Sequence, residues 1–144
     1  MYMGEETSAG IIIFREAVKV EFLFLKRREG FLDMPKGHIE KGESELDAAR
    51  REALEETGLN VSLIDGFREI QEYWYTYNGE KIKKRVFLYL GKADSDVKVT
   101  ISHEHIGYAW LTEDQAMAAL SFDNQKNIIK KAANFVKDKN QNKS

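Results

Sequence analysis

The stretch Arg51-Glu52-Ala53-Leu54-Glu55-Glu56-Thr57-Gly58-Leu59 constrains this chain more than any other. Ser44 is a good helix N-cap, helix formers follow it, and Gly58 is the expected stop. On that helix Glu52, Glu55 and Glu56 are spaced i, i+3, i+4 and share an arc of about 100°. Leu46, Ala49 and Ala53 turn to a different face and make the packing side. Like charges at this spacing weaken an isolated helix by about 0.2–0.5 kcal/mol per pair. They also lie toward the C-terminal end, where the helix macrodipole disfavours anions. Neither choice helps folding, and a bound cation would remove both penalties. Taken alone, such a triplet reads more readily as a solvated acidic face balanced by Arg50 and Arg51, so the context has to decide.

Part of that context is what the chain lacks. There is no cysteine, and the three histidines (His38, His103, His105) are few and scattered. A typical zinc site is therefore not expected, and hard carboxylate oxygens are the available ligands. Mg²⁺ takes such ligands, keeps several waters and completes its shell with substrate phosphate oxygens. The chemistry suited to this helix is metal-assisted attack of water on a phosphoanhydride.

The chain's 144 residues fit one domain. Its 42% hydrophobic and 32% charged residues are ordinary for a soluble protein. No stretch is long enough to span a bilayer, the N-terminus lacks the pattern of a signal peptide, and the absence of cysteine suits a reducing cytosol. A cytoplasmic location and no membrane contact are expected. The net charge of −2 argues against nucleic acid as a partner. The lysines at positions 126, 130, 131, 137, 139 and 143 read as a solvated helix face and a frayed polar tail over residues 137–144.

Residues 8–15 and 19–27 read as strands joined near Glu16-Ala17. Residues 28–42 form a long irregular loop holding Pro35, the only proline. Residues 60–77 and 83–92 are strand-like, with Asn78-Gly79 as a hairpin turn between them. Val97, Val99 and Ile101 alternate as a short strand, and residues 106–111 make another. Thr112 with Gln115 predicts a capping box. Asp123 is expected to cap a last helix with Ile128, Ile129, Ala132, Ala133 and Val136 on its buried side. The fold class is mixed, α/β or α+β, with helices against a sheet.

Gly37-His38-Ile39-Glu40-Lys41-Gly42-Glu43, then seven residues, then Arg51 to Leu59, resembles the Nudix box with every fixed position filled. Ala53 is a small choice at the first aliphatic position. The resemblance implies a Nudix fold, a mixed β-sheet between helices with the box as loop–helix–loop. It also implies cleavage of a nucleoside diphosphate linked to another moiety. Carried over by position, Glu52, Glu55 and Glu56 would be the main ligands of Mg²⁺, with Mn²⁺ as the alternative ion. Arg51 would orient carboxylates, Glu43 would support the loop, and Gly37 and Gly58 would permit tight backbone geometry.

The flanking segments Ser8-Ala9-Gly10-Ile11-Ile12-Ile13-Phe14, Met34-Pro35-Lys36-Gly37-His38, Gly66-Phe67-Arg68-Glu69, Ser102-His103-Glu104-His105 and Tyr108-Ala109-Trp110-Leu111 are similar to those of the asymmetrical diadenosine tetraphosphate hydrolases. The similarity runs from about residue 8 to residue 136. It departs at Phe31-Leu32-Asp33-Met34 and in the more aromatic hairpin. It implies Glu104 as general base or additional metal ligand, with a glutamate of the helix as the other candidate base, Glu55 among them. His103 and His105 would orient that loop. Lys36 and His38 are expected at the phosphates, Lys83 and Lys84 at the polyphosphate, and Tyr73, with Phe122 second, against a base. The expected reaction converts diadenosine tetraphosphate to ATP and AMP, in a monomer acting on small nucleotides. Diphosphoinositol polyphosphates, 5′-triphosphorylated RNA, other nucleoside diphosphate derivatives, or nucleotide sensing without turnover are the competing readings.

Overall fold

A computed structural model describes residues 3–141. The chain runs β1 (Met3–Glu16), β2 (Val20–Arg27), β3 (Leu32–Asp33), β4 (Lys36–His38), α1 (Glu45–Thr57), β5 (Ser62–Tyr77), β6 (Glu80–Lys92), β7 (His105–Thr112), α2 (Glu113–Ala119) and α3 (Asp123–Gln141). The seven strands form one mixed sheet: the path is β3-β2-β1-β6-β5, with β4 on β1 and β7 on β2. β1 and β6 are parallel, and the remaining pairs are antiparallel.

A fork in this sheet positions the site. β1 and β2 pair only where Phe14, Arg15 and Glu16 face Phe22, Glu21 and Val20. Beyond that point residues 32–38 fill the gap, β3 pairing with β2 and β4 pairing with β1. The loop expected over residues 28–42 thus contains two short strands. Pro35 joins them, where its missing N–H breaks no ladder, and its carbonyl accepts from the Ile11 amide at 3.2 Å. Gly10 is required here for space, because a Cβ would run into the Pro35 carbonyl.

Strand alternation sends two sets of side chains to opposite faces. Ala9, Ile11, Ile13, Leu23 and Phe87 pack with Ala48, Ala49 and Ala53 of α1. Ile12, Phe14, Phe22, Phe24, Leu88 and Leu90 pack with Ile128, Ile129, Ala132, Ala133 and Val136 of α3, the buried face read from its spacing. The Asn78-Gly79 turn closes the β5–β6 hairpin, both residues at positive φ. Thr112 and Gln115 form the capping box of α2.

Two further expectations change. Val97, Val99 and Ile101 form no strand; they pack into the α1-side core, and Thr100 donates its amide to the Thr57 carbonyl at 2.8 Å. Their alternation records burial without a partner strand. The tail expected over residues 137–144 is helical as far as Gln141, as the end of α3, and residues 142–144 lie outside the described residues. Among the described residues no helix is long and apolar enough to cross a membrane.

Candidate functional site

α1 is set by its caps. The Ser44 hydroxyl accepts from the Asp47 amide at 3.1 Å, and Gly58, at φ 72°, donates to the Leu54 carbonyl at 2.8 Å. Between these caps the three glutamates meet different surroundings. Glu56 is 7% exposed and lies on the packing side, accepting the Lys36 backbone N–H at 3.0 Å. Glu52 is largely covered by β4, and Gly37 has room only for a hydrogen, because a Cβ would collide with the Glu52 carboxylate. Gly37 is thus needed for close approach, whereas Gly58 is needed for its left-handed backbone. Glu55 points outward, its side chain 58% exposed.

Arg51 organises the cluster. Its guanidinium donates to Glu43 at 2.7 and 3.0 Å, to Glu52 at 2.7 Å, to Glu55 at 3.4 Å and to the His38 carbonyl at 3.0 Å. Glu43 also accepts the Glu40 amide at 3.0 Å, which closes the loop before the helix. The Arg51 hydrogen bond holds the Glu43 carboxyl below the usual range. Burial pushes the other way at Glu52, and the Glu55 and Glu104 charges add to it while Arg51 opposes. Burial, then the charges of Glu52, Glu104 and Asp33, push Glu56 up to about 8, against the Lys36 amide.

Glu104 lies on an exposed turn whose backbone N–H meets the Ser102 hydroxyl at 3.4 Å. Its charge adds to the upward shifts of both Glu52 and Glu56. His105 is buried, and burial lowers its imidazole below the ordinary value. The exposed His103 offers its carbonyl to Arg28 at 2.7 Å.

Among the described residues no three His, Cys, Asp or Glu side chains are already gathered into a coordination cage. Arg51 draws Glu52 aside and the Lys36 amide occupies an oxygen of Glu56. The donor set nonetheless fits a hard divalent cation. The candidate ligands are all oxygen, Glu52 and Glu56 are both pushed toward the neutral form by burial and by neighbouring carboxylates, and an ion that keeps its own waters needs only a few of them.

Beside the carboxylates a cavity of about 600 Å³ opens on the α3 face of the sheet. Lys36, His38, Tyr73, Lys84 and Phe122, the residues expected at the phosphates and the base, line it. Lys83 does not. It pairs across from Trp74 while Lys84 pairs across from Tyr73, so alternation turns Lys83 to the opposite face, where it meets Glu72 at 3.0 Å. The cavity also takes residues that sequence reading missed: Glu6, Arg27, Phe31, Asp33, Gln71, Tyr75, Asn124 and Gln125. Tyr75 and Gln71 were within reach of the sequence, being two residues either side of Tyr73 on the same strand face. Phe31 and Phe122 meet edge to face at 5.5 Å, a pair assembled from opposite ends of the chain.

The family model for the NUDIX domain matches residues 4–132. The asymmetrical bis(5′-nucleosyl)-tetraphosphatase of Sus scrofa is 34% identical, the match covering 90% of this chain and 94% of that protein. A putative 8-oxo-dGTP diphosphatase of Bacillus subtilis is 28% identical, over 92% of this chain and 83% of its own length. Among solved structures, a binary complex of the C. elegans Ap4A hydrolase superposes with a TM-score of 0.81 at 28% identity, covering 91% of this chain and 97% of its own.

Proposed function

This chain belongs to the NUDIX family and is a hydrolase of phosphoanhydride bonds, and we propose that it is a Mg²⁺-dependent enzyme cleaving dinucleoside polyphosphates, diadenosine tetraphosphate to ATP and AMP. The observation that carries the substrate is the cavity: the Phe31–Phe122 ring pair and Tyr73 stand beside Lys36 and Lys84, next to the carboxylate helix. Rings suit a base and ammonium groups suit a phosphate chain. The likeness to the Sus scrofa and C. elegans enzymes supports the same substrate.

In this reading Glu52, Glu55 and Glu56 would hold the ion, Mg²⁺ or alternatively Mn²⁺, with Glu104 as an additional ligand where a helix glutamate serves as the base. When bound, the ion neutralises phosphate oxygens and polarises the phosphorus under attack. Arg51 and Glu43 keep Glu52 in place, and the Lys36 amide keeps Glu56 in place. Glu104, exposed at the rim, takes the proton of the attacking water, a helix glutamate being the other candidate. Lys36, His38 and Lys84 orient the phosphate chain; Phe122 and Tyr73 stack against a base. Positioning and fixed electrostatics supply the rate enhancement.

The same reading takes residues 1–144 as one domain working as a monomer in the cytoplasm, with small nucleotides as its partners. The sheet shared by both core clusters supports the single domain. Inositol pyrophosphates fit less well, because a charge-dense ligand calls for an excess of unpaired cations in the cavity. Product analysis of diadenosine tetraphosphate with and without Mg²⁺ tests the proposal. ATP plus AMP, formed only with the metal, is expected; two molecules of ADP, or no turnover, would refute it.

A further inference from the structure

Among the described residues, each lysine and arginine lining the cavity, and His38 with them, already has a carboxylate beside it. Lys36 Nζ lies 2.9 Å from Asp33. Lys84 Nζ lies 3.2 Å from Glu6, and His38 Nε2 lies 3.6 Å from the same carboxylate. Arg27 reaches Glu29 at 3.2 Å and Asp33 at 3.9 Å. The two cavity carboxylates are held by several elements at once. Glu6 of β1 accepts from the Tyr75 hydroxyl of β5 and from Lys84 of β6. Asp33, buried at 4% exposure, accepts from the Met34 amide at 2.9 Å, from Lys36 and from Gln125 of α3 at 3.4 Å. Lys84 is itself buried, so an unpaired ammonium there would be costly.

We propose that Glu6 and Asp33 are specificity-determining residues: they hold the cavity's cations in charge pairs and thereby exclude bare, charge-dense polyanions. The inference rests on the cavity being the polyphosphate site. A polyanion without a metal must compete with the resident carboxylate for each lysine and be repelled by that carboxylate at contact distance. A polyphosphate already neutralised by a divalent ion meets less repulsion, and its uncharged nucleoside ends meet none. The pairs therefore act on which ligand enters, and they do so by an unfavourable element built against the wrong one. Neither carboxylate belongs to the segment from Gly37 to Leu59, but Asp33 acts on Glu56 through its charge and through Lys36, so Glu6 is the cleaner probe of the selection.

The test is calorimetric binding of inorganic tripolyphosphate in EDTA to wild type, Glu6→Gln and Asp33→Asn, with circular dichroism to show each is folded. Glu6→Gln keeps the shape and an acceptor for Tyr75 while removing the charge, on a side chain that is partly exposed. It is expected to bind tripolyphosphate at least tenfold more tightly than wild type. Asp33→Asn is expected to change in the same direction. Glu69→Gln makes the same change in net charge at a surface pair with Lys131 and is expected to stay within about twofold of wild type, as suits a screened exposed charge. Equal or weaker binding by folded Glu6→Gln, or an equal gain in Glu69→Gln, overturns the proposal. Because the ligand is not turned over and no metal is present, this result is independent of product analysis on the wild type, which tests the nucleotide reading by itself.

Discussion

The two ends of α1 each hold a glutamate, under opposite conditions. Glu45 is in the first turn, where the macrodipole favours an anion, and it receives both arms of Arg68 at 3.0 Å and the Tyr89 hydroxyl at 2.8 Å. The Arg68 contact holds its carboxyl below the ordinary range. Glu56 is in the last turn, where the macrodipole opposes it; burial and the charges of Glu52, Glu104 and Asp33 push it up to about 8. One residue type on one helix thus serves folding at one end and strains it at the other. The difference teaches where to look for chemistry: a charge that the fold already satisfies needs no ligand, whereas one left costly is the place to test for a bound cation.

The comparison breaks first at Glu56. Glu56→Gln should lower turnover by about a hundredfold or more, the scale of losing a key electrostatic group. The same variant should melt no lower than wild type in EDTA, since it removes a buried carboxyl whose ionisation the fold opposes. Millimolar Mg²⁺ should raise the wild-type melting temperature by a few degrees, through binding the native state alone, and leave Glu56→Gln nearly unmoved. Wild-type turnover by folded Glu56→Gln would end the argument. Arg51→Ala should cost roughly 10–100-fold in activity, because the carboxylates lose the group that orients them. A smaller loss, with Mg²⁺ affinity intact, would mean that Glu52 and Glu43 hold their places without it.

Phe122→Ala should raise KM about tenfold with little change in kcat, as expected for a lost stacking surface of about 1–3 kcal/mol. A fall in kcat at constant KM would place that ring outside the binding wall. The smallest effect belongs to the other end of the helix. Glu45→Gln should cost only about 0.5 kcal/mol at neutral pH, the worth of a partly exposed ion pair. The carboxyl is held below its ordinary 4.5, so its contribution is present above that pH and is lost as pH falls through the lower folded value. Melting curves of wild type and Glu45→Gln should therefore converge in acid, and a gap that widens below pH 4.5 would contradict the assignment.

The carboxylate helix was legible in the sequence because its chemistry is local. Glu52, Glu55, Glu56 and their caps all lie within one short segment, so spacing alone brings them together, but it does not tell that Glu56 turns to the packing side while Glu55 stays outward. The cavity was legible only in part. Tyr73, Lys84 and Phe122 were named, but Glu6, Asp33 and Gln125 are brought together by the fork between β1 and β2, which no local pattern announces. Lys83 and Lys84 differ by one position, and only the register opposite Tyr73 and Trp74 decides which of them faces inward. Val97, Val99 and Ile101 show the same limit from the other side: alternation reports which side chains are covered, and cannot say whether another strand covers them.

Lys36 belongs to both halves of the site through different atoms. Its main chain reports to Glu56 and its side chain to Asp33, so a single residue is the joint between the reacting end and the gripping end of the molecule. Under the proposed function, affinity and turnover are linked at that joint. A lineage altering its substrate is free to redraw the far wall of the cavity, but any shift of the wedge that carries Lys36 is transmitted to the helix beneath it.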